Sequence, residues 1–185
     1  MGSKETAIPK NLRDLTARLI EEPSFQAVRE SLRAGQAATI DGAWGSAKSL
    51  ALAALAESSG KTIIAVLPHA NQVDPLIADL ITMTPGRPLL FPTLEDAGRH
   101  DGVISIPHRE SYGRRLQALK VLRGPDPPRI VVATIGSLLQ PLPSFEKVQR
   151  NSRTIKQGTT IDIDELARWL VSQGWHHREA VELPG

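Results

Sequence analysis

The chain has no cysteine. That excludes a disulfide framework, a thiolate zinc site and a cysteine nucleophile, and it fits a reducing interior. Aromatic residues are scarce: three Trp, three Phe and one Tyr, too few for a surface that stacks splayed bases. Neither charge sign dominates, because 22 Lys+Arg against 20 Asp+Glu leave +2, too little to mark a nucleic-acid binder by charge alone. No apolar run approaches the ~18 residues of a membrane span. The polar opening from Met1 to Asp14 lacks a signal peptide's apolar core, so the expectation is a cytoplasmic protein without a membrane partner. What is present is 185 residues, 41% hydrophobic and 23% charged. That suffices for one full domain with a buried core and part of another.

Fourteen prolines and 14 glycines are spread along the chain, with no internal repeat. After a loose arm to about Leu12, helices are expected over Leu12–Ile20 and Ser24–Ala34. The second carries Phe25, Val28 and Leu32 on one face and stops at Gly35. The pattern then alternates. Gln36–Asp41 reads as a short strand, Gly42–Ala47 as a small-residue loop and Lys48–Ser59 as a helix closed by Gly60. Thr62–Leu67 is a near-continuous apolar run of the kind buried on both faces of a parallel sheet. An amphipathic helix over Val73–Ile81, a strand over Leu89–Phe91 and an irregular stretch over Thr93–Pro107 follow. A helix over His108–Arg123, a proline-rich turn and the strand Ile130–Thr134 complete the series. Strands alternating with helices at these lengths imply a three-layer α/β domain with a parallel sheet.

Beyond Gln140–Ser144 the character changes. Phe145–Gln157 is read as holding a strand. Asp162 and Glu165 form a D-x-x-E capping box for a helix to about Gln173, and Trp175–Leu183 alternates like a strand. One helix and one or two strands cannot bury a core of their own. The domain expectation is therefore an arm and helix over 1–22, the α/β domain over 23–144, and the opening of an incomplete second α+β domain over 145–185.

The chemically loudest stretch runs from Asp41 to Ser49, after an expected strand and into an expected helix, where a phosphate-binding loop belongs. Against G-x-x-x-x-G-K-[ST], Gly42, Lys48 and Ser49 match, while Ala47 replaces the second glycine. A working loop wraps phosphates in backbone N–H groups, adds the lysine charge and places the hydroxyl on magnesium. The Cβ of Ala47 opposes that close approach. The candidate phosphate-loop residues are Gly42, Gly45, Ser46, Lys48 and Ser49. The competing reading is a strand-to-helix corner that keeps the shape without the ligand. It gains from the strand ends at Pro68-His69 and Thr134-Ile135, which offer no carboxylate for a metal.

From His108 to Arg129, Arg109, Arg114, Arg115, Lys120, Arg123 and Arg129 stand against Glu110 and Asp126. The arginines are expected to flank an apolar stripe and lie in water. Arg109, Arg114 and Arg115 are the candidates for contact with a phosphate backbone or an acidic partner. A solvated helix face is the alternative. The histidines show no metal spacing, Asp162, Asp164 and Glu165 suit helix capping, and no serine sits in a G-x-S-x-G elbow. Neither a catalytic residue nor a metal site is assigned.

Taken in order, "SFQAVRESLRAG", "AATIDGAWGSAKS", "TIIAVLPHANQVD", "LLFPTLED", "YGRRLQAL" and "RIVVATIGSLLQPLPS" resemble the N-terminal part of the bacterial transcription-repair coupling factors. That part is itself similar to the excision-repair protein UvrB. The tail from Lys156 resembles the start of the family's inserted domain, whose UvrB counterpart docks UvrA. Ala47 and the lack of a tyrosine-rich, DNA-clamping hairpin in Thr93–Pro107 favour the coupling factor over UvrB, and the resemblance implies a RecA- or helicase-like fold that has lost ATPase function. It further implies a parent that is an ATP-dependent DNA translocase. Such a protein removes stalled RNA polymerase from double-stranded DNA and recruits UvrA, with ATP and magnesium used in motor domains outside this chain. Two other functions stay open: an active P-loop ATPase like UvrB, and a DNA-backbone binder acting through the 108–129 helix.

Overall fold

A computed structural model describes residues 11–94 and 106–175, with the backbone alone for 106–110. The chain divides into two units, Met1–Pro141 and Leu142–Gly185. The first is α/β. It holds helices α1 (Leu12–Glu21), α2 (Pro23–Arg33), α3 (Ser46–Ser59), α4 (Val73–Met83), α5 (Ile106–Leu122) and α6 (Ile135–Leu139). Its strands are β1 (Ile63–Leu67), β2 (Leu89–Phe91) and β3 (Ile130–Thr134), all parallel in the order β1-β3-β2.

The helix ends follow local chemistry. Asn11 accepts from the Asp14 amide while the Asp14 carboxylate accepts from the Asn11 amide, a reciprocal cap that starts α1. Pro23 opens α2, where no N–H is needed. Gly60, at φ 68°, closes α3 in the left-handed conformation that glycine adopts without strain.

Helices lie on both faces of the sheet. Register places Ile63, Ala65 and Leu67 on one face with Ile130 and Val132. Ala53 and Ala56 of α3 and Val73, Leu80 and Met83 of α4 pack there. On the other face, Leu89, Phe91, Val131 and Ala133 meet Ala118, Leu119 and Leu122 of α5. The opposite side of α3 presents Ala51 and Ala54 to Phe25 of α2 and to Leu19 and Ile20 of α1. A helix covered on two sides needs no single apolar stripe, and the alanines let both neighbours approach closely.

Three expectations for this unit change. Gln36–Asp41 forms no strand and is exposed along its length. The open edge of β1 carries no described neighbour, so the segment's backbone groups meet water instead of a ladder. β1 is not buried on both faces, because Ile64 and Val66 are 57% and 48% exposed. The cluster beneath α5 contains no β1 residue, so that helix leaves the edge strand uncovered. The unforeseen helix α6 is started by Thr134 and Ser137, which cap each other reciprocally.

In the second unit, Phe145–Arg150 is helix α7, not a strand. The Ser144 side chain accepts from the Lys147 amide, and Glu146, Lys147, Gln149 and Arg150 are good helix formers. Helix α8 (Ile163–Ser172) opens on Asp162, whose carboxylate accepts from the Asp164 and Glu165 amides. Arg153 pairs with Glu165 at 2.9 Å and lies over the Trp169 ring. No described residue of this unit is fully buried. The strand expected over Trp175–Leu183 lies outside the described residues past its first position, and so does most of the irregular stretch expected over Thr93–Pro107.

The Thr16 hydroxyl is buried without a hydrogen-bond partner among the described residues. Thr16→Val keeps the shape and removes the unpaired group, so stability should rise by about 1 kcal/mol. Urea unfolding followed by far-UV circular dichroism checks this, and a lower midpoint would show that the hydroxyl is satisfied.

Candidate functional site

The Gly42–Ser49 corner turns through two glycines in positive-φ conformations, Gly42 at φ 76° and Gly45 at φ 54°, ψ −133°. Both face open space, so backbone conformation and not crowding selects glycine there. Ala47 and Lys48 are the second and third residues of α3. Their amides, which a phosphate loop aims at its ligand, donate instead to the Trp44 and Gly45 carbonyls at 3.1 and 3.2 Å. Ser46 and Lys48 are exposed, as is Trp44 at 84%.

Ser49 points the other way. It is 2% exposed, and its hydroxyl donates to Asp79 Oδ2 on α4 at 2.8 Å. A hydroxyl hydrogen-bonded to a carboxylate is held more strongly than one between neutral groups. The bond locks α3 to α4, and burial holds the oxygen that a phosphate loop would offer to magnesium away from the surface of the corner. No cluster of three or more His, Asp or Glu that could hold a metal occurs among the described residues. The corner gathers Gly42, Gly45, Ser46 and Lys48 at the surface and sends Ser49 inward. Sequence reasoning missed Asp79, which is legible only as one of two aspartates on a largely apolar helix.

The second candidate is α5. The expectation that its arginines lie in water fails at Arg115, which is 1% exposed. Its Nη1 donates to the carbonyls of Pro92 at 2.7 Å and Ser137 at 3.0 Å, and to Gln140 Oε1 at 3.3 Å. Nη2 reaches the Gln140 carbonyl at 3.4 Å, and the guanidinium carbon lies 4.5 Å from the centre of the Phe91 ring. Gln140 completes the knot by accepting from the Leu94 amide and donating to its carbonyl. Arg115 thus ties the end of β2 and helix α6 to α5. Burial lowers its pKa from the usual arginine value, yet a guanidinium stays protonated at neutral pH. Arg114 remains exposed at the surface, and the Arg109 side chain lies outside the described residues. The signal for the knot was the Thr134-x-x-Ser137 cap, which shows that the chain turns back after β3.

No family model matches the chain. A curated relative does: the transcription-repair-coupling factor of Bacillus subtilis (strain 168) is 28% identical over 167 residues, covering 89% of this chain. The chain spans 14% of that relative's length. The match supports a distant relation to transcription-repair coupling factor. No described helix is long and apolar enough to cross a membrane.

Two substitutions test these placements. Arg115→Met strands buried carbonyls without their donor and should cost about 2–4 kcal/mol in urea unfolding. A cost below about 0.5 kcal/mol would mean that the guanidinium is not the tie. Ser49→Ala removes the bond to Asp79 and should cost about 1–2 kcal/mol. A neutral or stabilising effect would show the hydroxyl to be uncommitted.

Proposed function

We propose that this chain is the UvrB-like, non-catalytic N-terminal module of a transcription-repair coupling factor. The observation that carries the reading is the similarity to the Bacillus subtilis protein along nearly the whole chain. A helix-flanked parallel sheet is compatible with a RecA-like origin. Loss of catalysis is supported by the turned-in amides of Ala47 and Lys48 and by the burial of the Ser49 hydroxyl.

In this reading the parent is a cytoplasmic, ATP-dependent DNA translocase that removes stalled RNA polymerase from double-stranded DNA. ATP and magnesium serve its motor domains, and the first unit is scaffold. The second unit, which buries none of its described residues, is the beginning of the surface that docks UvrA. The surface cations of α5 are then a solvated face.

The test combines turnover and partner binding. Phosphate release from ATP–magnesium by this chain should stay at the buffer rate and be unaffected by Lys48→Ala. A chain extended past Gly185 to complete the second unit should bind purified UvrA more tightly than the present one does. Turnover abolished by Lys48→Ala would overturn the non-catalytic reading, and an extended chain blind to UvrA would overturn the docking role.

A further inference from the structure

The charges of the second unit are sorted along the chain. Lys147, Arg150, Arg153 and Lys156 fall in a stretch that holds no carboxylate from Lys147 to Ile161, whereas Asp162, Asp164 and Glu165 crowd the start of α8. Two of those acids are engaged. Asp162 caps α8, and Glu165 pairs with Arg153, which also lies over the Trp169 ring. Arg153 therefore spends its charge tying the segment between the helices to α8. Lys147, Arg150 and Lys156 are exposed, and their side chains meet no acid among the described residues. The sequence over 176–185 brings Arg178 against Glu179 and Glu182, a net −1 set against three cations.

We infer that the segment Lys147–Lys156 holds the phosphate backbone of a nucleic-acid duplex without reading its sequence. The inference does not depend on the coupling-factor reading. Gln149, Asn151, Ser152 and Thr154 stand among the cations, and these are the polar side chains that join Lys and Arg in donating to phosphate oxygens. An acidic protein is the poorer fit. Protein interfaces are depleted in Lys and centre on aromatic anchors, and the segment has no aromatic side chain. Neutralising about three phosphates releases their counterions, so log K should fall against log salt with a slope of about −2.7. Such a contact is weak alone. Its use is to hold the second unit beside a duplex that other surfaces grip.

Fluorescence anisotropy of a short labelled DNA duplex, titrated with the 185-residue chain over a series of salt concentrations, is the test. At low salt the duplex should bind with a Kd below about 100 μM, and changing its sequence should leave that value within about twofold. The triple variant Lys147→Gln, Arg150→Gln, Lys156→Gln alters exposed positions only and is compatible with folding. It should weaken binding at least about tenfold and flatten the salt dependence toward zero. Arg114→Gln with Lys120→Gln, on the exposed side of α5, should change the Kd by less than about twofold. Poly-glutamate should bind more weakly than the duplex. No binding at low salt, a Kd indifferent to the triple variant, loss of binding through the α5 pair instead, or tighter binding of poly-glutamate would overturn the inference.

Discussion

The two-sided burial of α3 is the constraint on which the first unit depends. Ala53 and Ala56 face the sheet and α4, and Ala51 and Ala54 face α1 and α2. A larger residue at any of them would force one layer away from the other, since packed interiors accept little added volume. Because α3 cannot shift, the corner that feeds it is fixed as well. The two positive-φ glycines before it are then a consequence of geometry: the chain must enter α3 at a set point and angle.

The chemistry of that corner follows from the same constraint. With α3 pressed against α4, Ser49 lies within reach of Asp79, and a buried hydroxyl beside a carboxylate hydrogen-bonds to it. The first-turn amides close onto Trp44 and Gly45. The motif's letters at Gly42, Lys48 and Ser49 therefore overstate what the loop offers, since only the lysine ammonium faces outward with its charge available. At the far side of the sheet Arg115 has an analogous role. Its fork collects carbonyls from the end of β2 and from α6 and its C-cap, a task that lysine's point charge cannot match.

Much of this was legible because it is local. The alanine-rich helix, the amphipathic α4, the apolar β3 and the Asp162 cap announce themselves within a few residues. The failures are of another kind. Gln36–Asp41 reads as a short strand, but a strand exists only through a partner, and composition cannot say whether an edge is free beside it. Thr62–Leu67 looked doubly buried because apolar content reports on side chains and not on which helix covers them. Arg115 looked solvated because two adjacent arginines on a helix share no face. Arg114 takes the exposed side, and Arg115 turns under the strand ends. Phe145–Gln157 reads as a strand only while the Ser144 cap, which starts α7, goes uncounted.

The central claim is that the Gly42–Ser49 corner is structural, with the Ala47 and Lys48 amides and the Ser49 hydroxyl already engaged inside the protein. Amide chemical shifts of Gly45, Ser46, Ala47, Lys48 and Ser49, recorded while ATP–magnesium is titrated into the isotopically labelled chain, test this most directly. The account expects these shifts to stay in place at millimolar nucleotide, with the Asp79 contact to Ser49 intact. Saturable shifts confined to these residues, and lost with Lys48→Ala, would contradict it.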